Sequence, residues 1–405
     1  MECGIRAVEY PGKKQDIVSD SLGLVEQWAA FNPEMELVGQ RTVFGEAESM
    51  KIPLREIEAV EKLPGRYSKI KVEQVLGMLR ILERIQKEPA LRERLALKGG
   101  SAINFFILEK IGRLSVDLDF DYIAPRETLK EALDASVEHK LLFEKIAREL
   151  RIKVVEYKPP RAKKRIATIT FSFESSIAGK VFVSCDLAYY QRQTIFGEAR
   201  KPFIGFGKGV EMFKDLNALI VNPADVWGSK LVALVWMEES DIFPKEFVRP
   251  DEVRYRHLYD AYQLSKLRQR GKIPDIDFNR IRTAFTVWGP PRDYRFSTRR
   301  GEVINKIEFE DPQTNLFDFL PATKRPGFEA MRDEVLEKVL TPMYQRDTLA
   351  NRYVREFVKG NYKPEYIFGE MDYPLISKMK DCSYLKDTAR VYQRRLGLGK
   401  NLRKK

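Results

Sequence analysis

From Val72 onward, Val75, Leu76, Leu79, Leu82 and Ile85 recur at helical spacing until Pro89 ends the run, which predicts a helix before that proline. A short apolar stretch, Leu95 to Leu97, then meets Lys98, Gly99, Gly100 and Ser101, and a second helical pattern with Ile103, Phe106 and Ile107 follows. The implied order is strand, glycine turn, helix. Between Ser115 and Tyr122 the chain alternates strictly, with Val116, Leu118 and Phe120 on one face and Asp117, Asp119 and Asp121 on the other. A charged amphipathic helix is expected over residues 127 to 150. Strands are expected at Ile166 to Phe173 and Val181 to Tyr189, joined as a hairpin near Gly179. Beyond Asn222 and Pro223 the periodicity is helical, with breaks at Pro290, Pro291, Pro321 and Pro326.

These elements predict an α/β (α+β) fold in which a core with a small mixed sheet precedes a mainly helical C-terminal part. Residues 1–65, with irregular Pro and Gly, read as an N-terminal extension. The core is assigned to 66–215, a helical domain closing a cleft against it to 216–300, and a further helical region with a basic tail to 301–405. A chain of 405 residues is long enough for such a division and for a sizeable core.

Composition narrows the chemistry. Cysteine occurs only at Cys3, Cys185 and Cys382, an odd, scattered set that suits neither a disulfide framework nor a zinc site. No run of about 18 apolar residues is present, and the first residues lack the apolar stretch of a signal peptide, so a cytoplasmic protein without a membrane span is expected. With only His139 and His257, catalysis resting on several histidines is nearly excluded, whereas carboxylates and lysines abound. The net charge of +12 points to a polyanionic partner to the extent that the positive residues cluster. Clusters lie at Lys158, Arg161, Lys163, Lys164 and Arg165, and along Arg390 to Lys405; the competing reading of both is solvated surface.

A row of acids on one strand face is costly, because like charges repel and none enters an apolar core unpaired. An isolated Asp-x-Asp is most often a solvated edge. Here Gly99-Gly100-Ser101 opens a helix, where free backbone N–H groups favour phosphate. Asp117 and Asp119 would bring the oxygen donors that Mg²⁺ or Mn²⁺ shares with triphosphate oxygens. Asp186, a polar residue among apolar neighbours in a later strand, is the third candidate ligand and serves equally as a plain edge aspartate.

At these residues the chain resembles a known family. Lys98-Gly-Gly-Ser-Ala-Ile-Asn followed by Arg113-Leu-Ser-Val-Asp-Leu-Asp-Phe is similar to the AbiEii-like toxin nucleotidyltransferases, as are Lys230-Leu-Val-Ala-Leu and Arg256-His-Leu-Tyr-Asp-Ala-Tyr. The resemblance covers roughly residues 70 to 270. It implies a nucleotidyltransferase core with Ser115, Asp117, Lys230 and Asp260 as functional residues, to which the acidic strand face adds Asp119 as a catalytic candidate. The residues themselves make Lys98, Gly99, Gly100, Ser101, Arg113 and Lys230 the candidates for holding nucleotide, and Asp117, Asp119 and, with its edge reading still open, Asp186 the candidates for holding the metal. The resemblance further implies a nucleoside triphosphate substrate, the 3′ end of tRNA as acceptor, and the role of toxin opposed by a cognate antitoxin. Two departures stand out: His257 replaces the first Asp of the later signature, and a charged stretch around Glu238 to Arg254 is added. Nucleotidylation of a protein or small molecule, or RNA binding without catalysis, are the alternative readings.

Overall fold

In a computed structural model, the structure describes residues 49–62, 67–160, 165–207, 210–235, 251–271, 277–291, 316–321, 325–345, 347–368 and 372–395. Most of the N-terminal extension, the added stretch up to residue 250, Arg161, Lys163 and Lys164 of the basic turn, and the last ten residues of the tail lie outside them.

Helix α1 (Leu54–Glu61) precedes α2 (Lys69–Lys87), the helix expected from the Val72 to Ile85 pattern. Its stop is local in origin: Glu88 adopts an extended backbone because it precedes Pro89, and Pro89 opens the short α3 (Pro89–Arg92). Strand β1 (Leu95–Lys98) runs into α4 (Gly99–Ala102), which continues as a π-helical turn over Ile103–Ile107. Strand β2 (Leu118–Tyr122) is shorter than the alternating pattern, so Asp117 sits just before the strand. Helix α5 (Leu129–Glu149) starts at a capping box in which Thr128 and Glu131 satisfy each other's backbone donors.

Strands β3 (Lys153–Lys158), β4 (Ile166–Glu174), β5 (Lys180–Ala188), β6 (Glu198–Pro202) and β7 (Asn217–Val221) complete a seven-stranded mixed sheet of order β3-β4-β5-β2-β1-β7-β6. The α/β class and the β4–β5 hairpin match expectation. The sheet is larger than the small one expected, because β3, β6 and β7 carry weak alternation. It also runs on past residue 215.

Period-two patterning decides what each face does. Ala167, Leu187, Phe120, Leu97 and Ile220 lie in register across five strands and are buried in one core with α2 and α5. Ile52, Ile57 and Val60 join that core, so the segment leading into and through α1 packs on the sheet domain. One residue along, the row Thr168, Asp186, Asp119 and Lys98 faces the other way. On that side a second cluster contains Ala96, Ile103 and Val221. With them are side chains of α6 (Pro223–Val235), α7 (Asp251–Gln269), α8 (Phe278–Trp288) and later helices including α9 (Phe328–Val335). Among the described residues no helix is long and apolar enough to cross a membrane.

Candidate active site

The glycine turn and the acidic strand are pressed together. Gly99 has φ of +69°, and a Cβ there would lie 2.3 Å from Asp119 Oδ2. Glycine is therefore required for both backbone conformation and close approach. A Cβ on Gly100 would lie 2.6 Å from the Arg113 guanidinium and 2.8 Å from Ser115 Oγ, so both side chains lean over the turn. Ser101 is buried and donates its hydroxyl to the Asp117 carbonyl, which ties the helix start to the entry of β2.

The three acids of the alternating segment have separate fates. Asp121 is buried and paired with Lys98, whose ammonium also lies 5.7 Å from the Tyr190 ring centroid. Burial opposes the charge on Lys98, but Asp121 and Asp119 together raise its pKa above the ordinary value. Asp117 reaches Arg256 Nη1 at 3.3 Å. Desolvation, with the neighbouring Asp119 charge, pushes its carboxyl above the usual range even though Arg256 pulls the other way. Asp119 makes no ion pair within 4.0 Å among the described residues and lies directly opposite Lys98 on one side and Asp186 on the other.

Asp186 lies opposite Asp119 in the register of β2 and β5, and Thr168 Oγ1 donates to it at 2.6 Å. Among the described residues no group of three His, Cys, Asp or Glu side chains is gathered tightly enough to hold a metal ion. Asp117 and Asp119 nevertheless fit a hard divalent cation. They are neighbouring oxygen donors, partly open to solvent, and the Asp117 carboxyl is shifted upward by desolvation first and by the Asp119 charge after it. Asp186 lies in register as a possible third donor.

The helical half supplies the positive side of the cleft through a buried network. Asp225 accepts from the Ile195 and Phe196 N–H groups and from Trp288 Nε1, which fixes the first turn of α6. Burial raises its pKa to about 6. Five residues on, Lys230 is buried and reaches Asp260 Oδ2 at 3.0 Å. Asp260, fully buried on α7, also receives a bidentate pair from Arg113, Nε to Oδ1 and Nη2 to Oδ2, each 2.8 Å. Asn104 completes the link by donating to the Gly100 carbonyl at 2.9 Å while its Oδ1 accepts from the Arg113 N–H.

Burial opposes ionisation of Asp260, yet Arg113 and Lys230 hold it below the usual carboxylate range. Burial likewise depresses Lys230 to about 8, with Arg113 adding to the depression and Asp260 and Asp119 resisting it. Asp260 thus contacts Lys230 and Arg113. Arg256, one helical turn away, points to Asp117 instead, because the sheet presents an open carboxylate there while Arg113 already occupies Asp260. Arg113 was expected at the nucleotide; its bidentate geometry makes it first a buried counter-ion for Asp260.

That arrangement predicts a stability effect. Replacing Arg113 by Met leaves Asp260 with Lys230 alone, and breaking a buried pair by removing one partner costs about 3–5 kcal/mol. Urea unfolding of Arg113→Met should show a loss of about 3 kcal/mol or more. A loss below about 1 kcal/mol would mean that Asp260 does not depend on the guanidinium.

The sequence reading missed Asp121, Asn104 and Arg256 as members of this site. Asp121 stood in the alternating row, but only the β1 register shows that Lys98 takes it.

A match to a family model agrees with the motif reading. The family model described as nucleotidyl transferase AbiEii toxin, type IV toxin–antitoxin system, matches residues 80–351. No curated protein matches the chain. Among solved structures, the nucleotidyltransferase toxin MenT4 from Mycobacterium tuberculosis H37Rv is similar at 15% identity and a TM-score of 0.49, with 82% of this chain and 97% of that chain covered. With two thirds of its length matched to the family model, the chain belongs to the AbiEii family of nucleotidyl transferase toxins of type IV toxin–antitoxin systems.

Proposed function

We propose that this protein transfers a nucleoside monophosphate from a nucleoside triphosphate to an acceptor hydroxyl, with Mg²⁺ or Mn²⁺ bound by Asp117 and Asp119, and that the acceptor is the 3′ end of tRNA. The observation that carries the reading is the juxtaposition of an open carboxylate pair with a glycine turn on one side and the buried Lys230–Asp260–Arg113 network on the other. Asp186 would add a ligand across the sheet. The cation, when bound, lowers the pKa of the attacking hydroxyl and offsets charge on the leaving group.

In the reaction the acceptor oxygen forms a bond to the α-phosphorus. The bond from that phosphorus to the bridging oxygen breaks, pyrophosphate leaves with the electron pair, and the hydroxyl proton passes to solvent. Lys230, held by Asp260, would meet the charge that builds on the phosphates, and Arg113 would keep Asp260 ionised for that task. Lys98 and Ser115 border the same turn, where Gly99, Gly100 and the backbone of Ser101 would approach phosphate. An RNA acceptor is supported by the net charge of +12. A cytoplasmic toxin of this kind would be silenced by a cognate antitoxin.

The test is incubation of the purified protein with each labelled triphosphate, Mg²⁺ and total RNA. Label on tRNA is expected. Label on protein or small molecules would move the acceptor, and no label with any acceptor would reduce the chain to a binding protein.

A pH prediction follows from Lys230. Its cationic form exists below its pKa, which burial sets near 8, so transfer loses this charge as pH rises through that value. The kcat/KM, which reports the free enzyme, should fall about tenfold per pH unit above a limb near pH 8, with the cation kept saturating. In kcat the limb should sit higher, because bound triphosphate favours the ammonium. An Arg at this position should abolish the limb near 8; a limb that persists in Lys230→Arg belongs to another group.

A further inference from the structure

Arg256 is the one cation in direct contact with the open carboxylate pair among the described residues. Its Nη1 lies 3.3 Å from Asp117 Oδ2, and its guanidinium carbon lies 5.2 Å from the centroid of the Phe319 ring. Phe319 comes from the C-terminal part of the chain, and its carbonyl accepts from the Leu114 N–H at 2.8 Å, immediately beside the catalytic segment. Lys71 Nζ lies 4.7 Å from the same ring. The ring thus holds Arg256 from behind while the guanidinium neutralises Asp117 in front.

This ion pair differs from the other three at the site, of which Lys230–Asp260 is buried on both sides. Arg113–Asp260 is buried on both sides, and the Asp121 side chain of the Lys98 pair is 4% exposed, whereas Asp117 in the Arg256 pair is 42% exposed. Exposure makes the contact weak and exchangeable. The atom it occupies is also one that a divalent cation would need.

We infer that Arg256 is the resident counter-cation of the carboxylate pair: guanidinium and divalent cation compete for Asp117, and the guanidinium displaced from it then meets the triphosphate that arrives with the cation. The inference rests on the proposed assignment of Asp117 as a metal ligand. It assigns Arg256 opposite signs in two binding steps, which a merely structural ion pair does not have. Without nucleotide, Arg256 opposes cation binding by holding Asp117. With nucleotide, it adds positive charge where the phosphates sit.

The experiment uses the full chain and Mn²⁺ as probe, read by electron paramagnetic resonance without nucleotide and by calorimetry with a non-hydrolysable triphosphate. Arg256→Ala should bind free Mn²⁺ about five-fold more tightly than the native protein, the size expected for losing a partly exposed ion pair. The same variant should bind the Mn²⁺–triphosphate complex about ten-fold more weakly, because a charge-assisted contact to phosphate is lost. If Ala at this position does not fold by circular dichroism, Arg256→Gln, which removes the charge and keeps much of the volume, carries the same expectation. Asp117→Asn separates the two levels. If it binds Mn²⁺ as well as the native protein, both the metal assignment and this inference fail. If Asp117→Asn loses Mn²⁺ while Arg256→Ala or Arg256→Gln binds it with unchanged or weaker affinity, the inference fails and the metal assignment stands.

Discussion

Replacing Asp117 or Asp119 by Asn is expected to abolish nucleotidyl transfer, with kcat down by roughly 10³-fold or more, while the thermal midpoint stays level or rises. The kinetic half follows from the charge the pair contributes: losing a single preorganised electrostatic stabiliser of a transition state costs about 10²–10³ in kcat, and here the metal ligation goes with it. The stability half follows from the apo protein. Desolvation and Asp119 raise the Asp117 pKa, which means that the ionised pair is already disfavoured there and that folding gains nothing from it. Removing Asp119 also removes the unpaired charge that faces Asp186 across β2 and β5. Activity in saturating Mg²⁺ and thermal melting measured on the same preparations decide the matter. Variants that keep transferring would make this pair a solvated edge, and variants that are inactive only because they melt early would make it structural.

Lys230→Ala is expected to lower kcat by about 10²–10³-fold while leaving Mn²⁺ affinity in the absence of nucleotide within about threefold of native. The lysine contacts Asp260 at 3.0 Å and, of the proposed cation ligands, meets Asp119 only through longer-range charge. Folding should survive, because Arg113 still holds Asp260 through two 2.8 Å hydrogen bonds. Steady-state kinetics at saturating cation together with metal titration provide the check. Unchanged turnover would place Lys230 in a structural ion pair and leave the helical half with no chemical part in the reaction.

Several features of this site could be read from order along the chain alone. Strict alternation over Ser115 to Tyr122 put three acids on one face, and the order strand, glycine turn, helix was expected where β1 runs into α4 with Gly99 at a φ of +69°. The apolar spacing in α2 and the proline after it defined a helix and its end. Such signals are local: helical and strand periodicities and turn residues depend on neighbours a few positions away.

Partnership, in contrast, was decided by tertiary structure. Arg113 and Asp260 are separated by 147 residues, and Arg256 and Asp117 by 139. Arg256 and Asp260 share a helix face four residues apart, yet an i, i+4 pair is worth only a few tenths of a kcal/mol at a surface and yields to a buried bidentate arginine. Lys98 likewise takes Asp121 because β1 and β2 pair antiparallel in a register that no local pattern encodes. The strand order that inserts β1 between β2 and β7, and β2 between β5 and β1, pairs residues 21 to 123 positions apart by backbone hydrogen bonds common to nearly every residue type, so their side chains announce the strands without naming their neighbours. The residue types of the candidate cleft were therefore legible in sequence, while which acid stays open, and which is neutralised, depended on the charges that the neighbouring strand and distant helices bring to that sheet face.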